Sequence, residues 1–345
     1  EGAVMINIDD VYARLASLSS ANLGKTAPNP NVAAAIYSVD GTLIAEGAHN
    51  RSVSPDHAEV VAIKKAGAAA RGAAIVVSLE PCNHTGKTGP CAQALIAAGV
   101  ERVIFATKDP GLTSSGGAAT LRDAGIEVES GLLEAEAEEL IRVWATATRQ
   151  QRPFVTLKYG SSLDGRSAAA DGSSKWITGP EARRDVHRRR TQIDAILVGT
   201  GTVIADNPEL TARHRDGSLY SEQPIRVILG ETELDPAARI FDESEGKGKT
   251  VQLRTRDLNS ALITLFEMGV RHLMVEGGAV VASEFVRHNL VNEFLVYLAP
   301  KLIGGPLNSL GNLGVANISQ AKDLEFIEVK QLGPDLMIRA IERNN

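Results

Sequence analysis

Apolar positions along the chain switch repeatedly between two periods. Over Asp9–Leu23 they recur every three or four residues, as on one face of a helix, whereas Val32–Ser38 and Thr42–His49 read as strands joined at Asp40-Gly41. Helical patterns follow at His57–Ala66, Cys91–Ala98 and Ala118–Ala124, alternating with apolar strands at Ala74–Leu79, Arg102–Thr107 and Glu127–Glu129. That alternation predicts helices packed over a largely parallel sheet. A charged helix, Glu134–Arg149, runs into Gln150-Gln151-Arg152-Pro153, where the proline disfavours continuation. A domain boundary is expected there, dividing residues 5–150 from 151–345; Glu1–Val4, ahead of Met5, read as an expression scar.

Beyond Pro153 a second α/β pattern begins. Strands are expected at Phe154–Tyr159, Asp194–Val198, Ile225–Leu229, His272–Val275, Glu293–Leu298, Glu325–Leu332 and Leu336–Ala340, with helices at Pro180–Arg190, Asn259–Met268 and Val280–His288. Segment Asp242–Lys249 reads as an exposed loop. A chain of 345 residues is long for one hydrophobic core, so the composition agrees with two domains. No run approaches the ~18 apolar residues of a membrane span, which predicts a cytoplasmic protein. The net charge of −6 argues against extended nucleic-acid binding, since neutralising phosphates needs a basic face; it leaves room for a local basic pocket.

The candidate chemistry of the first half lies in residues 57–91. His57-Ala58-Glu59 opens one predicted helix, Pro81-Cys82 ends a strand, and Cys91 opens another helix; Cys82 and Cys91 are the only cysteines. One imidazole and two thiolates give zinc three ligands and leave a fourth position for water, as a catalytic zinc requires. Glu59 is then a general acid/base and not a ligand. This is the arrangement of zinc deaminases, in which activated water attacks an amidine-like ring carbon and ammonia leaves. Two alternatives stand beside it: a Cys82–Cys91 disulfide, and a closed structural zinc with His84 as fourth ligand.

The second half offers less. Gly199-Thr200-Gly201 lacks the third glycine of a dinucleotide fingerprint. Glu276-Gly277-Gly278, after a strand and before a helix, suits a phosphate better, because glycines admit a ligand to the free N–H groups of the helix start. Arg183-Arg184 and Arg188-Arg189-Arg190 form either a solvated helix face or a phosphate clamp.

The motifs, taken together, resemble the family of bifunctional riboflavin-biosynthesis deaminase/reductases over nearly the whole chain. In the first half these are Pro28-Asn29-Pro30-Asn31, His57-Ala58-Glu59, Leu79-Glu80-Pro81-Cys82, Gly86-Lys87-Thr88 and Asp109-Pro110. In the second they are Leu157-Lys158, Ser162-Leu163-Asp164-Gly165-Arg166, Lys175-Trp176-Ile177-Thr178, the 205–211 segment ADNPELT, Val275-Glu276-Gly277-Gly278 and the 299–304 segment APKLIG. The resemblance implies a cytidine-deaminase-like three-layer α/β/α domain followed by a dihydrofolate-reductase-like α/β domain. It implies zinc and NADPH as cofactors, a phosphorylated pyrimidine as substrate and a homo-oligomer. By position it implies His57, Cys82 and Cys91 as zinc ligands, with Asn29, His49, His84, Lys87 and Asp109 lining the deaminase pocket. In the reductase it implies Ser174, Arg190, Leu210, Arg213 and Glu276 at the substrate. NADPH falls to Gly160, Trp176, Thr202, Asp206, Gly278, Ala279, Val280, Val281, Ala282, Ser283 and Glu284.

Glu59, Lys158 and Glu276 are the candidate catalytic groups, and among Lys158, Asp206 and Glu276 the sequence does not choose the proton donor. Trp176 offers an aromatic face to a cofactor or fills a core. The chain departs from the family pattern at Ala33, Gly111 and Gly230, where glycine, asparagine and an Asp-Ser pair are usual; the last departure bears on cofactor contacts. A nucleoside or tRNA deaminase with an appended binding domain is the rival reading, which the acidic balance disfavours.

Overall fold

The computed structural model describes residues 7–86, 88–111, 113–131 and 134–343, and places them in two compact units, 1–151 and 152–345. The scar assigned to Glu1–Val4 and the phosphate contact assigned to Lys87 lie outside the described residues.

The first unit runs α1 (Ile8–Ala21), β1 (Ala33–Tyr37), β2 (Leu43–Ala48), α2 (Ala58–Ala66), β3 (Ala74–Leu79), α3 (Cys91–Ala98), β4 (Arg102–Thr107), α4 (Gly117–Asp123), β5 (Glu127–Ser130) and α5 (Glu134–Gln150). Its sheet has the order β2-β1-β3-β4-β5. The expectation of a largely parallel sheet is corrected here: β1 is antiparallel to both β2 and β3, and only β3, β4 and β5 run parallel. The reason is local. Ser38 N–H donates to Thr42 O (2.9 Å) across a loop whose Gly41 sits at φ 83°, so β1 and β2 close as a hairpin, and α2 then carries the chain to the far side of β1.

The central strands β1, β3 and β4 are buried on both faces, which is why they read as continuous apolar runs. Val11 and Leu15 of α1 meet Ala33, Ala35, Tyr37, Val76 and Ile104 on one face. Ala58, Ala62, Ala92, Leu95 and Leu121 of α2, α3 and α4 meet Ala34, Ile36, Ile75, Val77 and Val103 on the other.

The second unit contains β6 (Phe154–Ser162), α6 (Pro180–Arg190), β7 (Ala195–Gly199), α7 (Thr200–Asp206), β8 (Ile225–Leu229), β9 (Thr250–Leu253), α8 (Leu258–Glu267), β10 (His272–Val275), α9 (Ala279–Arg287), β11 (Glu293–Ala299), β12 (Leu324–Leu332) and β13 (Asp335–Glu342). The order is β12-β13-β11-β6-β10-β7-β8-β9, parallel from β11 to β9 and antiparallel through the β12–β13 hairpin. Helices α8 and α9 pack on one face through Leu262, Leu265, Phe285 and Val286. Helices α6 and α7 pack on the other through Ala182, Val186 and Val203. The carboxyl ends of the parallel strands therefore point at the starts of α7 and α9, where ligands of open α/β sheets gather. Among the described residues no helix is long and apolar enough to cross a membrane.

Candidate active sites

In the first unit, α2 begins at His57, whose extended backbone (φ −74°, ψ 165°) caps the helix while its side chain makes no capping bond. The imidazole is thus free to face the sulfurs: Nδ1 lies 3.5 Å from Cys82 Sγ and 3.3 Å from Cys91 Sγ. All three donor atoms lie within 4.8 Å of one another, and both cysteines are buried free thiols, not a disulfide. Cys91 is the first residue of α3, and its N–H donates to Cys82 Sγ (3.4 Å), so the positive end of that helix faces the sulfur. Hydrogen bonding from Cys91 pulls Cys82 down to about 4 against the opposing effect of burial, and the same pairing together with burial pushes Cys91 up. A divalent cation takes the place of thiol protons. This donor set fits zinc, with three tetrahedral positions filled and one left open. His84 is outside the cluster; its buried Nδ1 has no hydrogen-bond partner among the described residues.

Glu59, on the first turn of α2, is 4% exposed. Burial pushes its carboxyl up to about 7. Beside it, the buried His49 ring meets His57 edge-on at 5.5 Å. His49 Nδ1 is 2.7 Å from Asp56 O, so it carries the proton, and Nε2 accepts from Asn29 Nδ2 at 3.1 Å. Burial lowers the His49 pKa and keeps the ring neutral.

Asp109 is also buried, which raises its pKa, and takes the Gly111 N–H at 2.7 Å. The Gly111 departure thus still serves Asp109 through its backbone, and a Cβ there would fall 2.1 Å from Ser114 Oγ. Ala33 is fully buried, its N–H donating to Ser78 Oγ (3.1 Å).

One residue of this region escaped the sequence reading of roles. Glu80 is a buried carboxylate that accepts from Gly116 N–H (3.2 Å), Ala118 N–H (3.1 Å) and Asp109 N–H (3.3 Å). It ties the end of β3, hence Cys82, to the start of α4 and to Asp109. Its place before Pro81-Cys82 was the available signal, but the three donors are about 30 residues or more away in sequence.

In the second unit the structure joins Lys158 of β6, Arg190 of α6 and Glu276, just past β10. Lys158 Nζ donates to Glu276 Oε1 (2.7 Å), and Arg190 Nη2 reaches both carboxylate oxygens (3.1 and 2.9 Å). Burial alone would raise the Glu276 pKa, yet Arg190 and Lys158 overcome it and hold the carboxyl down at about 2. Arg190 Nη1 donates to Thr211 O (2.9 Å), which brings Leu210 and Arg213 alongside. Arg213 is held by Glu209 and by Thr211 Oγ1 (2.8 Å).

The cofactor candidates gather at adjacent helix starts. Gly278 is the N-cap of α9, and its N–H donates to Thr202 Oγ1 of α7 (3.2 Å). The segment 278–284 is the cap and opening of a helix and not a turn. A Cβ at Gly201 would meet nothing within 4 Å, one at Gly278 only Thr202 Oγ1 at 3.6 Å, and one at Gly277 would press on Val281 at 3.0 Å. That open cradle over two helix N-termini suits a dinucleotide pyrophosphate. Asp206 closes the last turn of α7, and Gly160 lies on β6 against Thr178. Gly230, at the end of β8, sits at φ 129° facing Thr200.

Trp176 is 64% exposed and stacks under the Arg183 guanidinium at 4.2 Å, which rules out its reading as core filling. Ser174 is exposed nearby. Among the described residues, the side-chain hydrogen bonds that join Lys158, Glu276 and Arg190 do not reach Ser174 or Asp206.

Comparison with known proteins covers both units. Residues 7–107 match the family described as the cytidine and deoxycytidylate deaminase zinc-binding region, and residues 153–338 match the RibD C-terminal domain. The chain is 45% identical over 321 residues to riboflavin biosynthesis protein RibD of Mycobacterium tuberculosis, covering 93% of each. A solved structure of Acinetobacter baumannii RibD superposes with a TM-score of 0.89 at 36% identity, covering 98% of this chain and 100% of that one. The Thermotoga maritima diaminohydroxyphosphoribosylaminopyrimidine deaminase/5-amino-6-(5-phosphoribosylamino)uracil reductase superposes at 0.85 with 34% identity, covering 97% and 99%.

Proposed function

Since the chain belongs to the RibD family of bifunctional deaminase/reductases in riboflavin biosynthesis, we propose that its two units carry the two activities in series on one phosphorylated pyrimidine. Residues 5–150 hydrolyse an amino group from 2,5-diamino-6-ribosylamino-4(3H)-pyrimidinone 5′-phosphate. Residues 151–345 then reduce the ribosyl side chain to ribityl with NADPH. The observation that carries the reading is the convergence of His57, Cys82 and Cys91 within 4.8 Å beside buried Glu59. A cytoplasmic, homo-oligomeric enzyme without nucleic-acid or membrane partners is part of the same proposal.

In the deaminase, His57 and the two cysteines would hold zinc. When bound, the metal supplies the Lewis acidity that makes water a nucleophile at neutral pH. Glu59, buried on the first turn of α2, would accept the proton of the attacking water and return it to the departing amine. Asn29, His49, His84 and Asp109 orient the pyrimidine; of these, the neutral Asn29–His49 pair is hydrogen-bonded and so rotationally fixed. Lys87 meets the phosphate.

In the reductase, Gly160, Trp176, Thr202, Asp206 and residues Gly278 to Glu284 hold NADPH, which supplies the reducing equivalent when bound. Arg190, Arg213, Ser174, Leu210 and Glu276 contact the substrate. Lys158 is favoured as the proton donor over Glu276, because Arg190 and Lys158 itself keep Glu276 ionised with no proton to give, whereas the Lys158 ammonium carries one. Glu276 orients Lys158 and Arg190 together. The rival of a tRNA deaminase gains nothing from the second unit, whose match is to a reductase.

The test is direct. The purified chain, incubated with the diaminopyrimidine phosphate, should release ammonia without NADPH and should consume NADPH, followed at the nicotinamide absorbance, only after that release. Ammonia release with no NADPH consumption by the deaminated product would remove the reductase assignment.

A further inference from the structure

The segment that carries Arg213 has little regular structure of its own. Asn207 and Leu210 both lie at positive φ (41° and 56°); beyond them an isolated bridge links Arg213 to Leu219, and the Gln223 side chain accepts from Ala212 N–H and donates to Ala212 O (2.8 Å each). Gln223 holds Ala212, and α6 holds the residues on either side of it. His187 and Arg190, three residues apart and so on one helix face, both reach this stretch. Arg190 Nη1 donates to Thr211 O (2.9 Å), and the backbone N–H of Arg213 donates to His187 Nδ1 (3.2 Å).

His187 Nδ1 also lies 3.1 Å from Thr211 O. A neutral ring nitrogen cannot both accept from Arg213 and donate to Thr211. The carbonyl is already supplied by Arg190, so the tautomer protonated at Nε2 satisfies both backbone groups. The charged groups around the ring are Arg190 on its own helix, Arg213 on the segment it holds and Glu276 beyond β10.

We infer that His187 is a positioning residue of the reductase: as a neutral acceptor at Nδ1 it fixes the Arg213 backbone, and with it the direction in which that guanidinium meets the substrate. The inference rests on the proposal that Arg190 and Arg213 contact the substrate. Nothing in the sequence marked His187; it stood inside the run of arginines as one more polar residue of a helix.

The experiment uses the full chain and the amide-isostere distinction. Asn presents its side-chain oxygen where Nδ1 stands, Gln where Nε2 stands, and Leu keeps the shape of Asn without an acceptor. KM and kcat for reduction of 5-amino-6-(5-phosphoribosylamino)uracil at saturating NADPH are compared for His187→Asn, His187→Gln, His187→Leu and Arg213→Ala.

His187→Asn should stay within about twofold of the parent KM, while His187→Gln and His187→Leu should raise it about tenfold with much smaller changes in kcat, as expected for one lost hydrogen bond at a binding group. Arg213→Ala should raise KM at least as far. If Arg213→Ala raises KM but all three His187 variants behave alike, the inference falls and the substrate reading survives. If Arg213→Ala leaves KM unchanged, the substrate reading of Arg213 falls and takes the inference with it. Should His187→Gln not fold, the Asn and Leu variants alone decide.

Discussion

Gly47→Ala should damage the deaminase although Gly47 touches no candidate ligand. Gly47 lies on β2 opposite the first turns of α2, and a Cβ built there would stand 2.0 Å from Ala58 O and 2.6 Å from Ala62 N. An ordinary contact needs more than 3 Å, so α2 must move by over an ångström to admit one methyl group. Both contacts are backbone atoms, which no rotamer change relieves. His57 and Glu59 ride on that same turn and move with it. Overpacking of this kind costs about 1–3 kcal/mol, which for a unit of this size lowers the melting temperature by roughly 2–12 °C. Displacing a catalytic group by about 1 Å costs about 100-fold in rate. Ammonia release and zinc retention should therefore both fall, while NADPH oxidation with the deaminated substrate, borne by the other unit, should hold. A Gly47→Ala chain that releases ammonia at the parent rate and melts at the parent temperature would refute the claim that this close approach sets the position of α2.

Glu80→Ala should destabilise the first unit by about 2 kcal/mol or more, because it strands the backbone donors of buried Asp109 and Ala118 at about 1–3 kcal/mol each, while that of exposed Gly116 can turn to water; urea unfolding reads this, and a loss below about 1 kcal/mol would mean that water replaces the carboxylate throughout. Acid should weaken the second unit through His187. Burial and then Arg190 depress its folded pKa from 6.5 to about 4, so the unfolded chain binds the proton more tightly and stability rises with pH. The contribution is lost as pH falls from about 6.5 to about 4, and His187→Asn should flatten that window in urea midpoints measured at pH 7 and pH 5; parallel curves would contradict the buried neutral imidazole.

Local patterns told most of the fold. Helices such as Cys91–Ala98 and Pro180–Arg190 fall where apolar spacing and the opening proline put them, because those signals act within one or two turns. Strand β9, only four half-buried residues after an exposed loop, and α7, with a glycine in its first turn, carried too weak a signal to be read. Strand direction was also hidden: that β1 runs antiparallel to β3 depends on where α2 returns the chain, and not on the composition of either strand.

The sites divide in the same way. His57, Glu59, Cys82 and Cys91 are residue types that few other roles explain at such spacing, and the structure sets them side by side. Lys158, Arg190 and Glu276 were each singled out from motifs, but their ion pairs span 118 and 86 residues and no local period encodes such a contact. Gly47 and His187 act through the backbone of other segments, so nothing at their own positions announced them; the place of Glu80 before Pro81-Cys82 marked it, but not the distant backbone donors it holds.

The central claim, two chemistries at two separate sites of one chain, is tested most directly by a pair of isosteric changes assayed for both activities. Glu59→Gln keeps the carboxylate's size and leaves His57, Cys82 and Cys91 in place, but removes the proton acceptor; Glu276→Gln removes the charge that holds Lys158 and Arg190 together. Glu59→Gln is predicted to abolish ammonia release with zinc still bound and to leave NADPH oxidation of the deaminated substrate nearly intact, whereas Glu276→Gln does the reverse. Ammonia release at near the parent rate by zinc-loaded Glu59→Gln, or the loss of both activities in either folded variant, would contradict it.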